Sequence, residues 1–304
     1  MKKPAILFAV ILSFSLLAGC AGGAVPQASA DKLSVVTSFY PMYDFACKVG
    51  GDMVSVTNLT PAGVEPHDWE PSSADMITLE KAGVFIYNGA GMEHWVDSVL
   101  SSLENKDLIV VEASSNAPFL EVAAGSDAAD ASVDPHVWLD PEIAKIEMKN
   151  MLDAFKTADP ANADYFQANY DKYALEFDAL DAEFTSALAQ VPQKNIVVAH
   201  NAFGYLCNAY GLTQVPIEGL SADSEPDAAR MSEIISFVTA NHVKVIFFEE
   251  LVSPKVAEAI ARETGTTTAV LNPLEGISEA DQAAGQDYFS VMRENLSTLV
   301  ASLS

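Results

Sequence analysis

Eight short runs of β-branched and other apolar residues constrain the fold of this chain more than any other feature. Turn residues bound each run, and stretches with helical periodicity separate it from the next. Such strands are typical of parallel sheets that helices cover on both faces. The runs form two sets of four, at 33–38, 54–59, 84–89 and 108–113, and at 195–200, 214–219, 244–250 and 268–273. We therefore predict an α/β fold of two lobes, each with a four-stranded parallel sheet flanked by helices.

The stretch between the two sets predicts one long helix. An Asp-Pro pair at 159–160 signals a helix start, and apolar residues then recur every three or four positions until Pro192. A helix over 160–191 would be about 48 Å long, which is enough to join both lobes as a rigid connection. The predicted organisation is a first lobe at 33–159, this linking helix, and a second lobe at 192–304, with a cleft between the lobes.

The N-terminal residues indicate export. Two lysines precede an apolar run at 5–17 that is too short to span a membrane as a stable helix, and Leu-Ala-Gly-Cys follows, ending at Cys20. This pattern predicts a lipoprotein signal peptide over 1–19 and a lipidated tether over 20–32, with an ordinary signal peptide as the alternative. We expect the protein on the outer face of the cytoplasmic membrane, held there by the acyl chains on Cys20.

The charge of the chain excludes one class of partner. The sequence has 16 Lys and Arg against 42 Asp and Glu, a formal net charge of −26, which opposes binding to nucleic acid. Half of the residues are apolar, so the core needs no disulfide to stabilise it. Cys47 and Cys207 lie one in each half and outside any Cys-x-x-Cys motif, and we predict that both are free thiols, with a disulfide between them as the alternative.

Three histidines and one glutamate follow predicted strands. His67 and His136 come after the second and fourth strands of the first lobe, while His200 ends the first strand of the second lobe and Glu275 follows its last. Ligands bind at the carboxyl ends of strands in open α/β sheets, so two facing lobes would bring these side chains together. Three imidazoles and one carboxylate form a complete tetrahedral site for a divalent ion, with no position for a reacting water. On the residues alone, ordinary loop or core histidines remain the alternative.

Acidic residues near these positions are candidates for a supporting role. Glu65 and Asp134 lie two residues before histidines, where a carboxylate can orient an imidazole without binding the metal itself. Glu249 and Glu250 interrupt the apolar character of the third strand of the second lobe at its end. We expect one of these two, Glu249 in the first place, to be paired on the floor of the cleft.

Segments along the chain resemble the zinc- and manganese-binding substrate-binding proteins of ABC importers, in particular the zinc-uptake type. In that family one long rigid helix joins the two lobes, and side chains of both lobes hold the metal in the cleft. Matched by motif, the resemblance implies the metal ligands His67, His136, His200 and Glu275. It also implies one divalent ion per chain, an ABC permease in the membrane as partner, and a monomer. The segments that carry it include GVEPHDWEPSSADM, FIYNGAGMEHW, DPHVWLDP, HNAFGYL, IEGLSADSEPDAARM and VLNPLEGIS.

One position bears on the choice of metal. Manganese-binding relatives typically carry a carboxylate where this chain has His200, so the resemblance implies Zn²⁺, with Mn²⁺ or iron as the alternative. Zinc-specific relatives often carry a loop rich in histidine in the first lobe. The corresponding stretch at 114–133 has no histidine; we expect a mobile surface loop, and its composition disfavours a role in metal capture.

Two functions of other classes compete with this interpretation. An exported zinc hydrolase would need an open water position on the metal and a nearby carboxylate base, often in an HExxH motif. The sequence contains no such spacing, and we expect no enzymatic activity. An adhesin at the cell surface is the other alternative, although no repeat, aromatic patch or charged tail in the sequence favours it.

Overall fold

Two parallel sheets form the frame of the molecule. The structure, a computed structural model, describes residues 32–122, 133–220 and 226–304. Each strand coincides with a predicted run, but ends one to three residues before it. The strands are β1 (Leu33–Thr37), β2 (Val54–Asn58), β3 (Val84–Tyr87), β4 (Ile109–Glu112), β5 (Asn195–Val198), β6 (Thr213–Pro216), β7 (Val245–Phe248) and β8 (Thr267–Val270).

The two sheets have the same topology. Their strand orders are β2-β1-β3-β4 and β6-β5-β7-β8, and all pairs are parallel, as predicted. In each sheet the order changes direction once, between β1 and β3 in the first and between β5 and β7 in the second. Such a switch point opens a crevice at the carboxyl ends of the strands. The residues that follow these strands leave the sheets there and form loops.

Helices flank both sheets. The side chain of Asp140 accepts the N–H of Glu142 and so caps the helix that begins at Pro141. In the described part of the chain the helices are α1 (Tyr40–Gly50), α2 (Ser73–Leu79), α3 (Val96–Ser102), α4 (Pro141–Ala158), α5 (Ala163–Leu188), α6 (Gly204–Tyr210), α7 (Ala228–Ala240), α8 (Lys255–Thr264), α9 (Glu279–Ala283) and α10 (Tyr288–Leu303). Short 3-10 turns cover Gly51–Met53, Val137–Leu139 and Pro160–Asn162.

The linking helix α5 is shorter than the predicted span of 160–191. Pro160–Asn162 forms a 3-10 turn before it, and the helix ends before Pro192, since proline disfavours helical backbone in the preceding residue. With 26 residues it is about 39 Å long. It packs against α1 and α4 of the first lobe and against α6 and α10 of the second, so it connects the two lobes as predicted.

One apolar core extends through both lobes. Its members include Val35 of the first sheet, Phe177 in the buried stripe of α5, and Leu271 beyond the second sheet. Two smaller clusters cover the opposite faces of the two sheets, one around Phe85 and one around Ile246. Since the lobes share a core, the loops at their facing strand ends keep a fixed spacing. The lobe boundaries at 33–159 and 192–304 stay predictions.

Several predictions concern the ends and the surface of the chain. Cys20, the signal peptide and nearly all of the tether lie outside the described residues, and lipidation stays a prediction. Among the described residues, no helix is both long enough and apolar enough to cross a membrane. Cys47 and Cys207 are free thiols, as predicted. Burial raises the pKa of Cys47 to about 11.

The loop predicted at 114–133 begins inside the fold. Residues 123–132 lie outside the described part of the chain. Before them, Ser114 and Ala117 are buried, and the N–H of Leu120 donates to a tyrosine hydroxyl of the second lobe at 3.0 Å. The prediction of a surface loop is therefore wrong for Ser114 and Ala117, whose small side chains are buried, while Asn116, Pro118 and Phe119 are exposed as predicted.

Candidate metal centre

Four side chains meet between the lobes: those of His67, His136, His200 and Glu275. Their ligand atoms all lie within 4.8 Å of one another. Oε1 of Glu275 lies 3.2 Å from Nε2 of His67, 3.0 Å from Nε2 of His136 and 3.1 Å from Nε2 of His200. Nε2 of His136 lies 3.2 Å from that of His67 and 3.4 Å from that of His200. The structure thus brings together the four residues that the sequence predicted as ligands.

These spacings fit a tetrahedral ion. An ion with bonds of about 2.0–2.1 Å to nitrogen has tetrahedral ligand atoms about 3.3–3.4 Å apart. The five distances between ligand atoms given above run from 3.0 to 3.4 Å. Small movements of the side chains would therefore complete the coordination shell. Three imidazole nitrogens and one carboxylate oxygen are a donor set that suits zinc.

Each of the four residues lies beyond the carboxyl end of a strand. His67 belongs to the loop between β2 and α2, and His136 precedes the 3-10 turn that leads into α4. His200 comes two residues after β5, and Glu275 follows β8. Two ligands therefore come from each lobe, and the cleft between the lobes is where they meet.

Asp134 supports His136. Its Oδ1 accepts a hydrogen bond from Nδ1 of the His136 ring at 2.7 Å and from the His136 backbone N–H at 3.0 Å. With the proton held on Nδ1, the lone pair of Nε2 faces the centre of the site. Asp134 is buried, so this bond is shielded from water.

Glu249 supports His200 in the same way. Its Oε1 lies 2.6 Å from Nδ1 of His200 and 3.4 Å from the His200 backbone nitrogen. Glu249 follows β7 and His200 follows β5, which are the two strands at the switch point of the second sheet. Glu250, its neighbour, instead accepts a hydrogen bond from Asn272 at 3.1 Å.

Glu65 differs from these two carboxylates. Both of its oxygens lie 3.1 Å from the backbone nitrogen of His67 and accept its N–H, so it fixes the loop and not the ring. In the described part of the chain, Nδ1 of His67 has no hydrogen-bond partner. Burial raises the pKa of Glu65, and the charge of His67 partly offsets this rise.

The site strongly perturbs its titratable groups. Burial lowers the pKa of His200, but the carboxylates of Glu249 and Glu275 outweigh it and raise that pKa well above its ordinary value. The pKa of His136 is raised for the same reason, with Asp134 and Glu275 acting against burial. Burial raises the pKa of Glu275, yet the surrounding imidazoles hold it well below its usual range. The centre therefore favours positive charge next to Glu275.

Aromatic side chains with polar tips tie the His136 segment to the second lobe. Tyr205 donates its hydroxyl to the carbonyl of Asp134 at 2.8 Å, and Tyr288 donates to that of Trp138 at 2.7 Å. Nε1 of Trp138 donates to the carbonyl of Pro273 at 2.7 Å, two residues before Glu275. Sequence reasoning missed these contacts. The only sign of them in the sequence was the presence of aromatic residues beside the ligand motifs.

The segment that carries Glu275 has an unusual backbone. Leu274 adopts a φ of +62°, a conformation that is strained for a leucine. Its N–H donates to the side chain of Asn272 at 2.7 Å, and Asn272 in turn pairs through its backbone with the side chain of Asn295 on α10. Sequence reasoning missed this support too, although an asparagine after a strand is a typical signal of such a turn.

The fold and the site define a two-lobed solute-binding protein with a ligand set for a divalent transition metal. Comparison with known proteins agrees. Residues 35–302 match the family described as "ZnuA: Zinc-uptake complex component A periplasmic". The chain belongs to this family, whose members are the solute-binding components of a metal-uptake system.

Individual relatives cover almost the whole chain. It is 39% identical to the high-affinity zinc uptake system protein ZnuA of Bacillus subtilis, over 99% of this chain and 98% of that protein. It is 38% identical to the zinc-binding lipoprotein AdcA of Streptococcus pneumoniae over 98% of this chain, but it spans 60% of the length of that protein. The solved Zn(II)-bound ZnuA-like domain of that AdcA is similar with a TM-score of 0.78 and 38% identity, covering 90% of this chain and 99% of the domain.

Proposed function

We propose that this protein captures Zn²⁺ outside the cytoplasmic membrane and delivers it to the permease of an ABC importer. The observation that carries the proposal is the spacing of the ligand atoms, 3.0 to 3.4 Å between neighbours, which is close to that of a tetrahedral zinc site. The ligands are His67, His136, His200 and Glu275. One ion is bound per chain.

The donor set supports zinc over manganese. His200 places a nitrogen where a carboxylate would favour a harder ion, and its ring is fully buried and oriented by Glu249. Zinc also ranks above manganese at almost any site of nitrogen and oxygen donors. The printed names of the relatives given above, which are zinc-uptake and zinc-binding proteins, agree with this choice.

The closed coordination shell supports binding rather than catalysis. A catalytic zinc site has three protein ligands and keeps a fourth position for water. Here four protein atoms surround one point, and three of the four residues are buried. A bound zinc ion would therefore have no open position for a reacting water, which argues against the zinc hydrolase.

The proposal extends to the location of the protein. Cys20 would carry the lipid that anchors the chain to the outer face of the membrane, close to the permease. The lipobox pattern supports this, as does the relative that is named a zinc-binding lipoprotein. The proposal includes a monomer, since both halves of the metal site come from the same chain and no second copy is needed to complete it.

Competitive titration with a zinc chelator tests the proposal. We expect one zinc ion per chain, an affinity for zinc far above that for manganese, and no hydrolysis of peptide or ester substrates in a parallel assay. His94→Ala is a matched control, since His94 is exposed and its ring lies 3.4 Å from Glu70. Unchanged zinc affinity after His136→Ala, or tighter binding of manganese than of zinc, would contradict the proposal.

A further inference from the structure

Four buried side-chain oxygens of the first lobe have no hydrogen-bond partner in the described part of the chain. They are both carboxylate oxygens of Glu147, the amide oxygen of Asn88 and the hydroxyl of Ser114, and all three residues are fully buried. The fifth such atom among the described residues is Oδ2 of Asp44, whose other oxygen lies 2.8 Å from Nζ of Lys48. Leaving a buried polar atom without a partner is costly. A group of four therefore needs a physical explanation.

The three residues lie on elements that pack together. Asn88 follows β3 and Ser114 follows β4, and the N–H of Ser114 donates to the carbonyl of Asn88 at 3.0 Å. Glu147 lies on α4, which packs against both strands. Three residues further along α4, Asn150 donates to the carbonyls on either side of Ser114, at 2.8 and 3.0 Å. The side of α4 that carries Glu147 therefore covers the ends of the two strands.

The surroundings of Glu147 disfavour a negative charge. In the described part of the chain no Lys, Arg or His forms an ion pair with it. Glu147 interacts electrostatically with Glu93 before α3, Tyr205 on α6 and Tyr288 on α10. None of these three groups carries positive charge. Burial raises the pKa of Glu147 well above its ordinary value, and the charge of Glu93 raises it further.

A proton on Glu147 would supply a hydrogen-bond donor that the neighbouring side chains lack. The side-chain N–H groups of Asn88 donate to the carbonyls of Gly89 at 2.9 Å and Pro135 at 3.0 Å, so its Oδ1 needs a donor. A neutral carboxylic acid supplies one O–H and keeps an oxygen that can accept from the hydroxyl of Ser114. None of these groups is in direct hydrogen-bond contact with another, so a bridging water would be needed to complete the set.

We propose that α4 and the ends of β3 and β4 enclose an internal water site in which Glu147 is held as a neutral acid. This site would fix the side chain of Asn88, which bonds to the carbonyl of Pro135, the residue before His136. Glu147 is then a positioning residue for one ligand-bearing segment. It acts through Asn88 and does not touch the metal.

The test compares the full chain with its Glu147→Gln variant, both saturated with zinc, in denaturant unfolding at a series of pH values. Glutamine is neutral at every pH and can donate and accept, so the variant keeps the hydrogen bonds. A neutral buried acid ionises when the chain unfolds, so rising pH favours unfolding of the wild type alone. The ratio of unfolding constants, wild type over variant, should rise about tenfold per pH unit above the ordinary glutamate pKa of about 4.3.

Glu142→Gln is the matched control, because Glu142 lies on the same helix and pairs with Lys145 at 2.8 Å on the surface. Its ratio to the wild type should not show this rise. A ratio for Glu147→Gln that is flat with pH would overturn the proposal. The readout is the slope with pH and not zinc affinity, so its failure would leave the proposed function untouched.

Infrared spectroscopy gives a second readout. We expect the wild type to show the carbonyl band of a neutral carboxyl group at neutral pH that Glu147→Gln lacks, and two identical spectra in this region would overturn the proposal. A hard cation such as Na⁺ or Ca²⁺ is the competing occupant, since it would bind the same oxygens with Glu147 ionised. At constant ionic strength, such an ion would stabilise the wild type against unfolding and leave Glu147→Gln unchanged. That result would show that a cation occupies the site, and it would contradict the proposal of a neutral Glu147.

Discussion

The three histidines of the metal centre have different supports. His136 and His200 are fully buried, and a buried carboxylate accepts a hydrogen bond from Nδ1 of each ring. His67 lies in the long loop between β2 and α2, its side chain is 10% exposed, and no group in the described part of the chain bonds to its Nδ1. Two imidazoles are therefore fixed before metal arrives, while the third depends more on the metal itself.

This difference separates two roles that a ligand can have. A buried imidazole paired with a carboxylate contributes to the stability of the fold as well as to metal binding, because its loss leaves a charged group without a partner. An imidazole on a loop contributes mainly to metal binding. Measurements on the metal-free and zinc-bound protein distinguish the two roles.

The largest effects are expected from removal of a ligand. His67→Ala, His136→Ala and His200→Ala should each weaken zinc binding by orders of magnitude, because one of four ligands is lost. Only the variants at His136 and His200 should also destabilise the metal-free protein, by about 1–3 kcal/mol, since Asp134 or Glu249 loses the imidazole N–H whose hydrogen bond it accepts. Chelator competition and denaturant unfolding check this. Equal destabilisation by all three variants would show that His67 is supported by the fold as strongly as His136 and His200.

Removal of the supporting carboxylates should have a smaller effect. Asp134→Asn and Glu249→Gln keep the size of the side chain but weaken the bond to the ring, and we expect zinc affinity to fall about 10- to 100-fold. Glu65→Gln is the matched control, because Glu65 bonds to the backbone of His67 and not to its ring. A loss of affinity for Glu65→Gln as large as for the other two would show that ring orientation is not what the carboxylates supply.

Zinc binding should depend on pH because the pKa values of His136 and His200 are raised. Zinc binds neutral imidazole. As pH falls, protons should therefore begin to displace zinc at a pH that is still above the ordinary histidine pKa of about 6.5. In the metal-free protein, protonated His200 and its carboxylates stabilise the fold fully below about 6.5, and this contribution fades as pH rises through the raised pKa. The stabilisation that zinc adds, measured as the shift in Tm, should therefore grow with pH. A shift that stays constant from pH 5 to 8 would contradict this.

The smallest effect is expected at the bond between the two ligand-bearing segments. Trp138→Phe removes the N–H that reaches the carbonyl of Pro273 and keeps an aromatic ring in place. One such hydrogen bond is worth about 1 kcal/mol, so zinc affinity should fall by no more than about fivefold. Trp95→Phe is the control, because Trp95 packs with Phe85 in the separate cluster on the other face of the first sheet. Equal losses for both would assign the effect to packing.

The sequence predicted those features that follow from local patterns. The strands, the order of helices and the strand-end positions of His67, His136, His200 and Glu275 all depend on periodicity and spacing. Asp134 was predictable because it lies two residues from the histidine that it supports.

Features that depend on contacts between distant segments were not predictable. The bond of Tyr205 to Asp134, the pair of Asn272 and Asn295, and the strained backbone of Leu274 join residues whose sequence neighbours give no sign of a partner. The exact ends of α5 were also missed, because the apolar pattern continues past the last helical residue.

Zinc K-edge X-ray absorption of the purified protein identifies the atoms that bind the ion. The proposal predicts a four-coordinate ion with three imidazole nitrogens and one oxygen at about 2.0–2.1 Å, and no sulfur. The His67→Ala variant should lose one imidazole from this spectrum, and the exposed His94→Ala control should lose none. A six-coordinate ion, or a spectrum with fewer than three imidazoles in the wild type, would contradict the assignment of His67, His136, His200 and Glu275 as the zinc ligands.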